Sequence, residues 1–227
     1  MSRVWFWPVE RRCLPMALNC LINGAEDAPA TFLMAHGAGA PMDSASMQAM
    51  ATAIATAGLR VVRFEFSYMA ARRDGHRKPP LRAELLKPEY VSAVEQIPIT
   101  GHLIIGGKSM GGRVASMVAD ELYAAGKIVG LLCLGYPFHP PGKPAQLRTK
   151  HLMDIKTPTL ICQGTRAEFG SGEVVSNDRL SDRIEILWFE DGDHDLRPRK
   201  RITGITVEYH LRTLAAAVRA WSDRITG

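Results

Sequence analysis

The sequence predicts a single α/β domain built on a mostly parallel, doubly wound sheet with helices on both faces. Short, near-continuous apolar runs are typical of strands that are buried on both sides. These runs alternate with segments whose apolar residues recur at helical spacing. The chain has 227 residues, about the length of one domain, and no change in composition marks a boundary. We therefore expect one domain over residues 1–227, with an irregular N-terminal extension at residues 1–13.

Turn and cap residues delimit the elements of the first half. Asp43-Ser44 offers a cap for one helix, Gly58 ends it, and Pro88 fits the first turn of the next. In order, we predict an opening hairpin at 4–9 and 14–22, a strand at 30–35, a helix between Ser44 and Gly58, a strand at 59–66 and a helix at 88–94.

Apolar runs and one long periodic segment define the second half. Val114, Met117, Val118 and Leu122 lie on one face of a helix that ends at Gly126. In order, we predict a strand at 102–106, a helix at 110–125, strands at 128–134, 159–162 and 184–189, and a closing helix at 204–221.

Composition excludes several classes of protein. Hydrophobic residues make up 46% of the chain and charged residues 22%, as in ordinary globular proteins. The longest apolar runs are too short to cross a membrane, and the first residues lack the apolar stretch of a signal peptide. The four cysteines have no second Cys or His pair at zinc spacing. We expect reduced thiols, a cytoplasmic location, and no metal, other cofactor or membrane partner.

The most informative segment joins the strand at 102–106 to the following helix. It contains Gly107-Lys-Ser109-Met-Gly111, which fits the pattern G-x-S-x-G. Between a strand and a helix, this pattern places the serine on a sharp, strained turn with small neighbours, so that its Oγ projects from the carboxyl edge of the sheet. We predict that Ser109 is a nucleophile.

Phosphate-binding loops fit the sequence less well. The pattern G-x-x-x-x-G-K-S needs a glycine six residues before Lys108, where the chain has His102. The pattern G-x-G-x-x-G also fails after Gly37 and Gly39, because its third glycine position is Met42.

The partners of Ser109 follow from the needs of acyl transfer. Two backbone N–H groups must hold the oxyanion. We predict the N–H of Met110 and that of Gly37 or Ala38, in the loop after the strand that ends before His36-Gly37. The general base should follow the last strand, which indicates His194. The alternatives are His139, His151 and His210.

With this order of strand, HG loop, serine turn and late D-H loop, the chain resembles the α/β-hydrolase superfamily. Five segments more closely resemble the small, capless, dienelactone-hydrolase-like proteins. Within these, the resemblance is to the branch related to the hydrolase-like domain of testis-expressed proteins and of a subunit of the NSL histone acetyltransferase complex. The segments are 36–44, 63–66, 106–113, 135–142 and 163–166. The resemblance implies a capless hydrolase domain with the chain order Ser, acid, His.

The resemblance also implies an acid directly after residues 163–166, but that position is Ala167. Glu168 comes next, and a glutamate can orient the histidine in this fold. We take Glu168 as the acid. The alternatives are Asp191, Asp193 or Asp195, and a site without a functional acid, which means a weak or retired enzyme.

The net charge of +5 is unevenly placed. Lysines and arginines concentrate at 60–82 and 197–201, after strands whose carboxyl ends should lie near Ser109. We predict a basic rim that attracts an anionic ester. The alternative is a solvated surface with internal ion pairs. The predicted substrate-binding residues are Lys108, Arg113, Tyr68 and Tyr136. Nucleic acid is excluded as a partner because no aromatics interleave with these basic clusters.

The predicted function is hydrolysis of small carboxylic esters or thioesters through a Ser-His-acid triad and an acyl-enzyme. The expected partner is therefore a small-molecule ester or thioester, and the oligomeric state stays open. The alternative is a non-catalytic or weakly active binding module, which the altered acid position favours. A carbon–carbon or dienelactone-type hydrolase uses the same residues.

Overall fold

The computed structural model describes residues 18–76, 78–97, 99–172, 175 and 179–227. In these ranges, seven strands form one sheet. The strands are β1 (Cys20–Asn23), β2 (Ala30–Ala35), β3 (Arg60–Phe64), β4 (His102–Lys108), β5 (Gly130–Leu134), β6 (Thr159–Gly164) and β7 (Ile184–Phe189). The helices are α1 (Ala45–Thr56), α2 (Ser67–Arg73), α3 (Lys87–Gln96), α4 (Met110–Ser116), α5 (Ala119–Ala124), α6 (Lys200–Thr203) and α7 (Val207–Thr226).

The sheet is doubly wound, as the sequence predicts. Its strand order is β1-β3-β2-β4-β5-β6-β7, with β1 antiparallel to β3 and the other pairs parallel. After β2 the chain moves outward to β3, and after β3 it returns to the other side of β2. This reversal opens a crevice at the carboxyl ends of β2 and β4, where such sheets bind ligands. Ala35 and Gly107 pair at that end.

Each face of the sheet carries its own apolar core. Helices α1 and α7 cover one face, where Met50 and Trp221 are almost fully buried. Helices α3, α4 and α5 cover the other, where Tyr90 and Val114 are fully buried. Burying one such side chain stabilises the fold by about 1.5–3 kcal/mol, so both faces of the sheet contribute to holding the strands in place.

The strand predictions from residue 30 onward are confirmed, and those for β2 and β7 agree at both ends. The arm predicted at 14–22 is a strand only from Cys20 within the described residues, and this strand, β1, pairs with β3. The single helix predicted at 110–125 is wrong, because the structure has α4, a turn, and α5. Ser116 Oγ donates to Arg113 O at 2.8 Å, and such a side-chain bond competes with the helical pattern and bends the chain. The closing helix begins later than predicted, at Val207, because the Thr206 side chain caps it by accepting from Tyr209 N.

Several expectations concern the ends and the thiols of the chain. The predicted strand at 4–9 lies outside the described residues. Within them, Cys20, Cys133 and Cys162 are free thiols. None of the helices in the described ranges has the length and apolar character needed to span a bilayer.

Candidate active site

Ser109 lies where β4 ends and α4 begins. Its backbone has φ 52° and ψ −117°, a conformation that costs a residue with a side chain of order 1–3 kcal/mol. Two hydrogen bonds hold it there: Ser109 N–H donates to Leu134 O in β5 at 3.0 Å, and Ser109 O accepts from Arg113 N–H at 3.1 Å. The hydroxyl is thereby presented at the crevice between β2 and β4.

The glycines two positions before and two positions after Ser109 have no room for a side chain. A Cβ on Gly107 would lie 2.4 Å from Ala35 O, and one on Gly111 would lie 2.5 Å from the same oxygen. Both contacts are with backbone, which cannot swing aside. The close approach of this turn to β2 is the physical reason for the spacing G-x-S-x-G.

His194 lies in the loop after β7 and contacts the serine. Its Nε2 is 2.8 Å from Ser109 Oγ. The ring of Phe169 packs edge-on against the imidazole, with 4.5 Å between ring centroids. The other candidate histidines bond elsewhere, His139 to Pro140 O, His151 to Ser116 Oγ and His210 to Leu196 O. A contact of this length is the one that a serine nucleophile needs with its general base.

The second ring nitrogen of His194 lacks a partner. Its Nδ1 is buried and has no hydrogen bond in the described part of the chain. Glu168, the acid expected from the sequence, has an exposed side chain and makes no hydrogen bond to this nitrogen. Ala167, the position at which the resemblance implies an acid, is buried. The structure therefore does not bring Glu168 to His194.

The three aspartates proposed as alternative acids are also engaged elsewhere. Asp191 pairs with Arg166 and Arg199. The Oδ1 atom of Asp193 accepts the backbone N–H groups of Asp195 and Arg197. The Oδ1 atom of Asp195 accepts from Ser46 Oγ at 2.9 Å and pairs with Lys108 Nζ at 3.2 Å.

The unpartnered nitrogen leaves the tautomer of His194 undetermined. For Nε2 to accept the Ser109 proton, the neutral imidazole must carry its own hydrogen on Nδ1. A buried donor without an acceptor costs about 1–3 kcal/mol. The opposite tautomer, in which Nε2–H donates to Ser109 Oγ, leaves Nδ1 as a buried acceptor without a donor, and its Nε2 cannot take the Ser109 proton.

Burial and a nearby lysine keep His194 neutral. Burial, followed by the positive charge of Lys108, lowers the pKa of His194 to about 3, against an opposing effect of Asp195. Lys108 is itself buried, with 7% of its side chain exposed, and its ammonium is paired with Asp195. Lys108, predicted to bind substrate, is not among the residues that line the cavity at Ser109.

The loop after β2 lies against Ser109. A Cβ on Gly37 would be 3.6 Å from Ser109 Cβ. Ala38 and Met110 line the same cavity as Ser109. The structure therefore brings together the residues whose backbone N–H groups the sequence predicts as oxyanion donors.

Two buried side chains hold this loop in place. His36 Nδ1–H donates to Gly37 O at 2.6 Å, while its Nε2 accepts from Phe66 N–H at 3.1 Å. The Tyr68 hydroxyl donates to Ala38 O at 3.2 Å. Tyr68, predicted to bind substrate, is thus a positioning residue for the loop.

A cavity of about 780 Å³ lies above Ser109, within the size range of sites for small ligands, roughly 300–1,000 Å³. Its apolar wall includes Leu81, Leu147 and Phe169. Its charged lining residues are Arg82, Glu84, Arg113 and Arg148. Tyr136, also predicted to bind substrate, is fully buried and is not among the lining residues.

Many charges of the two predicted basic segments serve the fold. Arg63 is buried, Arg73 pairs with Glu65 at 2.7 Å, and Arg199 pairs with Asp191. The alternative of internal ion pairs describes these residues better than a basic rim does.

Sequence reasoning did not identify Arg148 and Phe169. Arg148 lies between β5 and β6 in a segment that carries no motif, and only its place after the carboxyl end of a strand could have indicated it. Phe169 directly follows Glu168, so a closer reading of the expected acid loop could have found it.

We compared the chain with known protein families and with solved structures. The family model of the α/β hydrolase domain matches residues 28–223. The chain is similar to the dienelactone hydrolase from Anabaena variabilis, with a TM-score of 0.67 and 19% identity over 92% of this chain and 93% of that one. For Est1E from Butyrivibrio proteoclasticus, solved with ferulic acid bound, the TM-score is 0.65 and the identity 15%, over 92% and 95%.

A third similar structure is an α/β serine hydrolase without a lid from Xanthomonas campestris. Its TM-score is 0.63 and its identity 19%, over 94% of this chain and 97% of that one. At such identities the likeness to solved structures shows the fold alone. The family model, however, spans the chain from just before β2 into the last helix, and the protein therefore belongs to the α/β hydrolase family.

Proposed function

We propose that this protein is a serine hydrolase that cleaves small carboxylic esters or thioesters. The observation that carries the proposal is the 2.8 Å contact between His194 Nε2 and Ser109 Oγ, on a strained turn that opens into the cavity. The size of the cavity and its exposure to solvent suit a small substrate.

The proposed reaction has two steps. Ser109 Oγ attacks the acyl carbon as His194 Nε2 takes its proton, and the N–H groups of Met110 and of Gly37 or Ala38 hold the oxyanion. The bond to the leaving oxygen or sulfur breaks as His194 returns the proton to it, which leaves an ester on Ser109. Water then attacks this ester, gives a proton to His194, and releases the acid and the free serine.

The proposal includes slow turnover. The orienting acid fixes the productive tautomer and stabilises the imidazolium, and its loss in a comparable triad lowers turnover about 10⁴-fold. The buried, unpartnered Nδ1 of His194 supports a dyad without an acid. Glu168 could serve as the acid only after its exposed side chain turned toward His194.

The unpartnered Nδ1 of His194 also favours a second candidate function, a non-catalytic or weakly active binding module. Such a protein would keep the fold and the cavity but would have lost most or all of its catalytic activity. A dienelactone-type or carbon–carbon hydrolase would use the same residues and requires a substrate panel to separate it.

A fluorophosphonate probe tests the proposal. We expect labelling of Ser109 in the folded protein and none in Ser109→Ala, together with hydrolysis of a short acyl ester that both Ser109→Ala and His194→Ala abolish. Labelling without turnover would favour the binding module. Absence of labelling, or equal labelling of Ser109→Ala, would overturn the assignment of the nucleophile.

We also propose that the protein belongs to the branch of the testis-expressed and NSL-related proteins and acts in the cytoplasm. The five motif segments, including 106–113 and 135–142, support the branch. The cysteine pattern supports the location. Fractionation of the tagged full chain tests the location directly.

A further inference from the structure

The charged lining of the cavity is unbalanced. Three arginines, Arg82, Arg113 and Arg148, face one glutamate, Glu84, around the serine. Arg113 Nη2 pairs with Glu84 Oε1 at 2.7 Å, and the Glu84 side chain is 55% exposed. The other two arginines have no ion pair with a carboxylate in the described part of the chain. The charged residues that line the cavity therefore carry a net charge of two positive units.

Of these three arginines, Arg113 and Arg148 are partly buried, whereas Arg82 is exposed. Only 14% of the Arg113 side chain is exposed, and its Nε is buried without a hydrogen-bond partner. Burial lowers the pKa of Arg148, and the positive charge of Arg113 lowers it further, against an opposing effect of Glu84. Two partly desolvated guanidinium groups that repel one another are stabilised by an anion between them. A carboxylate suits them best, because it accepts paired N–H donors from the planar guanidinium.

Arg113 lies near Ser109, both along the chain and in the wall of the cavity. Arg113 N–H donates to Ser109 O at 3.1 Å, so Arg113 stands one helical turn beyond the serine. Four residues of helix rise about 6 Å. Since Ser109 and Arg113 also line the same cavity, a carboxylate bound at Arg113 and an acyl carbon attacked by Ser109 would share that cavity, and a short chain of carbon atoms would join them.

The apolar wall accommodates the intervening chain. Leu81 and Leu147 line the same cavity and expose 42% and 47% of their surface. A short methylene chain that joins a scissile carbonyl to a carboxylate would cover part of this surface.

We propose that Arg113 and Arg148 bind a carboxylate at the far end of the acyl chain, so that the preferred substrates are half-esters or half-thioesters of short dicarboxylic acids. This inference rests on the proposed hydrolase activity and names its substrate class. Arg82, at the cavity rim, adds attraction for the same anion.

The test compares two esters matched in length, monoethyl adipate and ethyl hexanoate, which differ by a carboxylate in place of a methyl group. We expect kcat/KM to be at least about tenfold higher for monoethyl adipate, since hydrogen bonds to charged groups are among the stronger ones. In Arg148→Gln and Arg113→Gln most of this preference should be lost, so that the two esters are cleaved at nearly equal kcat/KM, and Arg148→Lys should restore part of it.

Arg201→Gln is the matched control. It removes the same charge from the second basic segment, at a residue outside the cavity lining, and should leave the preference unchanged. A preference that falls equally in Arg201→Gln would assign the effect to net charge and overturn the binding site. Circular dichroism checks that each variant is folded.

Binding to the Ser109→Ala protein separates this inference from the proposed function. Calorimetry should show that adipate binds, that Arg148→Gln in the same background weakens it at least about tenfold, and that Arg201→Gln does not. If no ester is cleaved while adipate still binds in this way, the hydrolase proposal fails and the carboxylate site stands. Equal cleavage of both esters, or adipate binding that Arg148→Gln leaves unchanged, overturns the carboxylate site alone.

Discussion

Replacing Ala167 with aspartate should supply the acid that the proposed pair of Ser109 and His194 lacks. Ala167 is 3% exposed and lies on the loop after β6, two positions before Phe169, whose ring packs on His194. His194 Nδ1 is buried without a partner. A carboxylate that accepts from this nitrogen would hold the hydrogen on Nδ1 and free Nε2 to take the Ser109 proton.

The magnitude follows from the state of the imidazole. A pKa of about 3 for His194, against an ordinary value of about 6.5, makes the imidazolium roughly 4–5 kcal/mol harder to form than in water. A hydrogen bond to a charged group recovers about 1.5–3 kcal/mol. We therefore expect kcat to rise about ten- to a hundredfold.

The assay is steady-state hydrolysis of a short acyl ester as a function of pH. His194 must be neutral to act as a base, so activity is lost as the pH falls through its pKa. With a pKa near 3, the acid limb lies far below that of an ordinary imidazole. The new carboxylate raises the pKa of His194, so in Ala167→Asp the acid limb should move to higher pH.

Ala167→Asn, which matches the aspartate in size without its charge, is the control and should give a smaller rise and a smaller shift of the limb. Ser109→Ala combined with Ala167→Asp should be inactive. Circular dichroism and Tm establish folding, because burying an unpaired carboxylate is costly. A folded Ala167→Asp protein with unchanged kcat and an unmoved acid limb would refute the reasoning.

Three further predictions concern the supports of the site. Lys108→Met removes the positive charge beside His194 and should raise its pKa, so the acid limb of the pH–rate profile moves to higher pH; an unmoved limb contradicts this role. Gly111→Ala drives a Cβ to 2.5 Å from a backbone oxygen of β2 and should lower the free energy of unfolding in urea by about 1–3 kcal/mol, whereas Gly39→Ala meets open space and should change it by less than about 0.5 kcal/mol. Tyr68→Phe removes a hydrogen bond that holds the loop after β2 and should lower kcat about two- to tenfold with little change in KM; an effect on KM alone would mean that the residue binds substrate.

The strands and the serine turn were predictable because their signals are local. The apolar run of β2 and that of β7 each coincide with the observed strand. The spacing around Ser109 reflects a turn that only small neighbours permit. The break between α4 and α5 was missed, because the bond of Ser116 to its own helix is reinforced by His151, 35 positions away.

The acid expected to orient His194 shows what the sequence reveals and what only the structure reveals. The sequence alone revealed that Ala167 stands where the resemblance implies an acid. It could not reveal whether Glu168 compensates, because the direction of one loop side chain depends on everything packed around it. The structure turns Glu168 to solvent and leaves His194 Nδ1 without a partner.

By itself, the sequence predicted the doubly wound sheet and the serine turn, since periodicity and glycine spacing are properties of neighbouring residues. Chain order favoured His194 over His139, His151 and His210 as the partner of Ser109. Only the tertiary structure decided that Ser109 and His194, 85 positions apart, meet at 2.8 Å. It also decided that Lys108 is buried and paired with Asp195, and that Arg148 lines the cavity. The reason is physical: burial and charge pairing are set by segments distant in the chain, which local patterns do not encode.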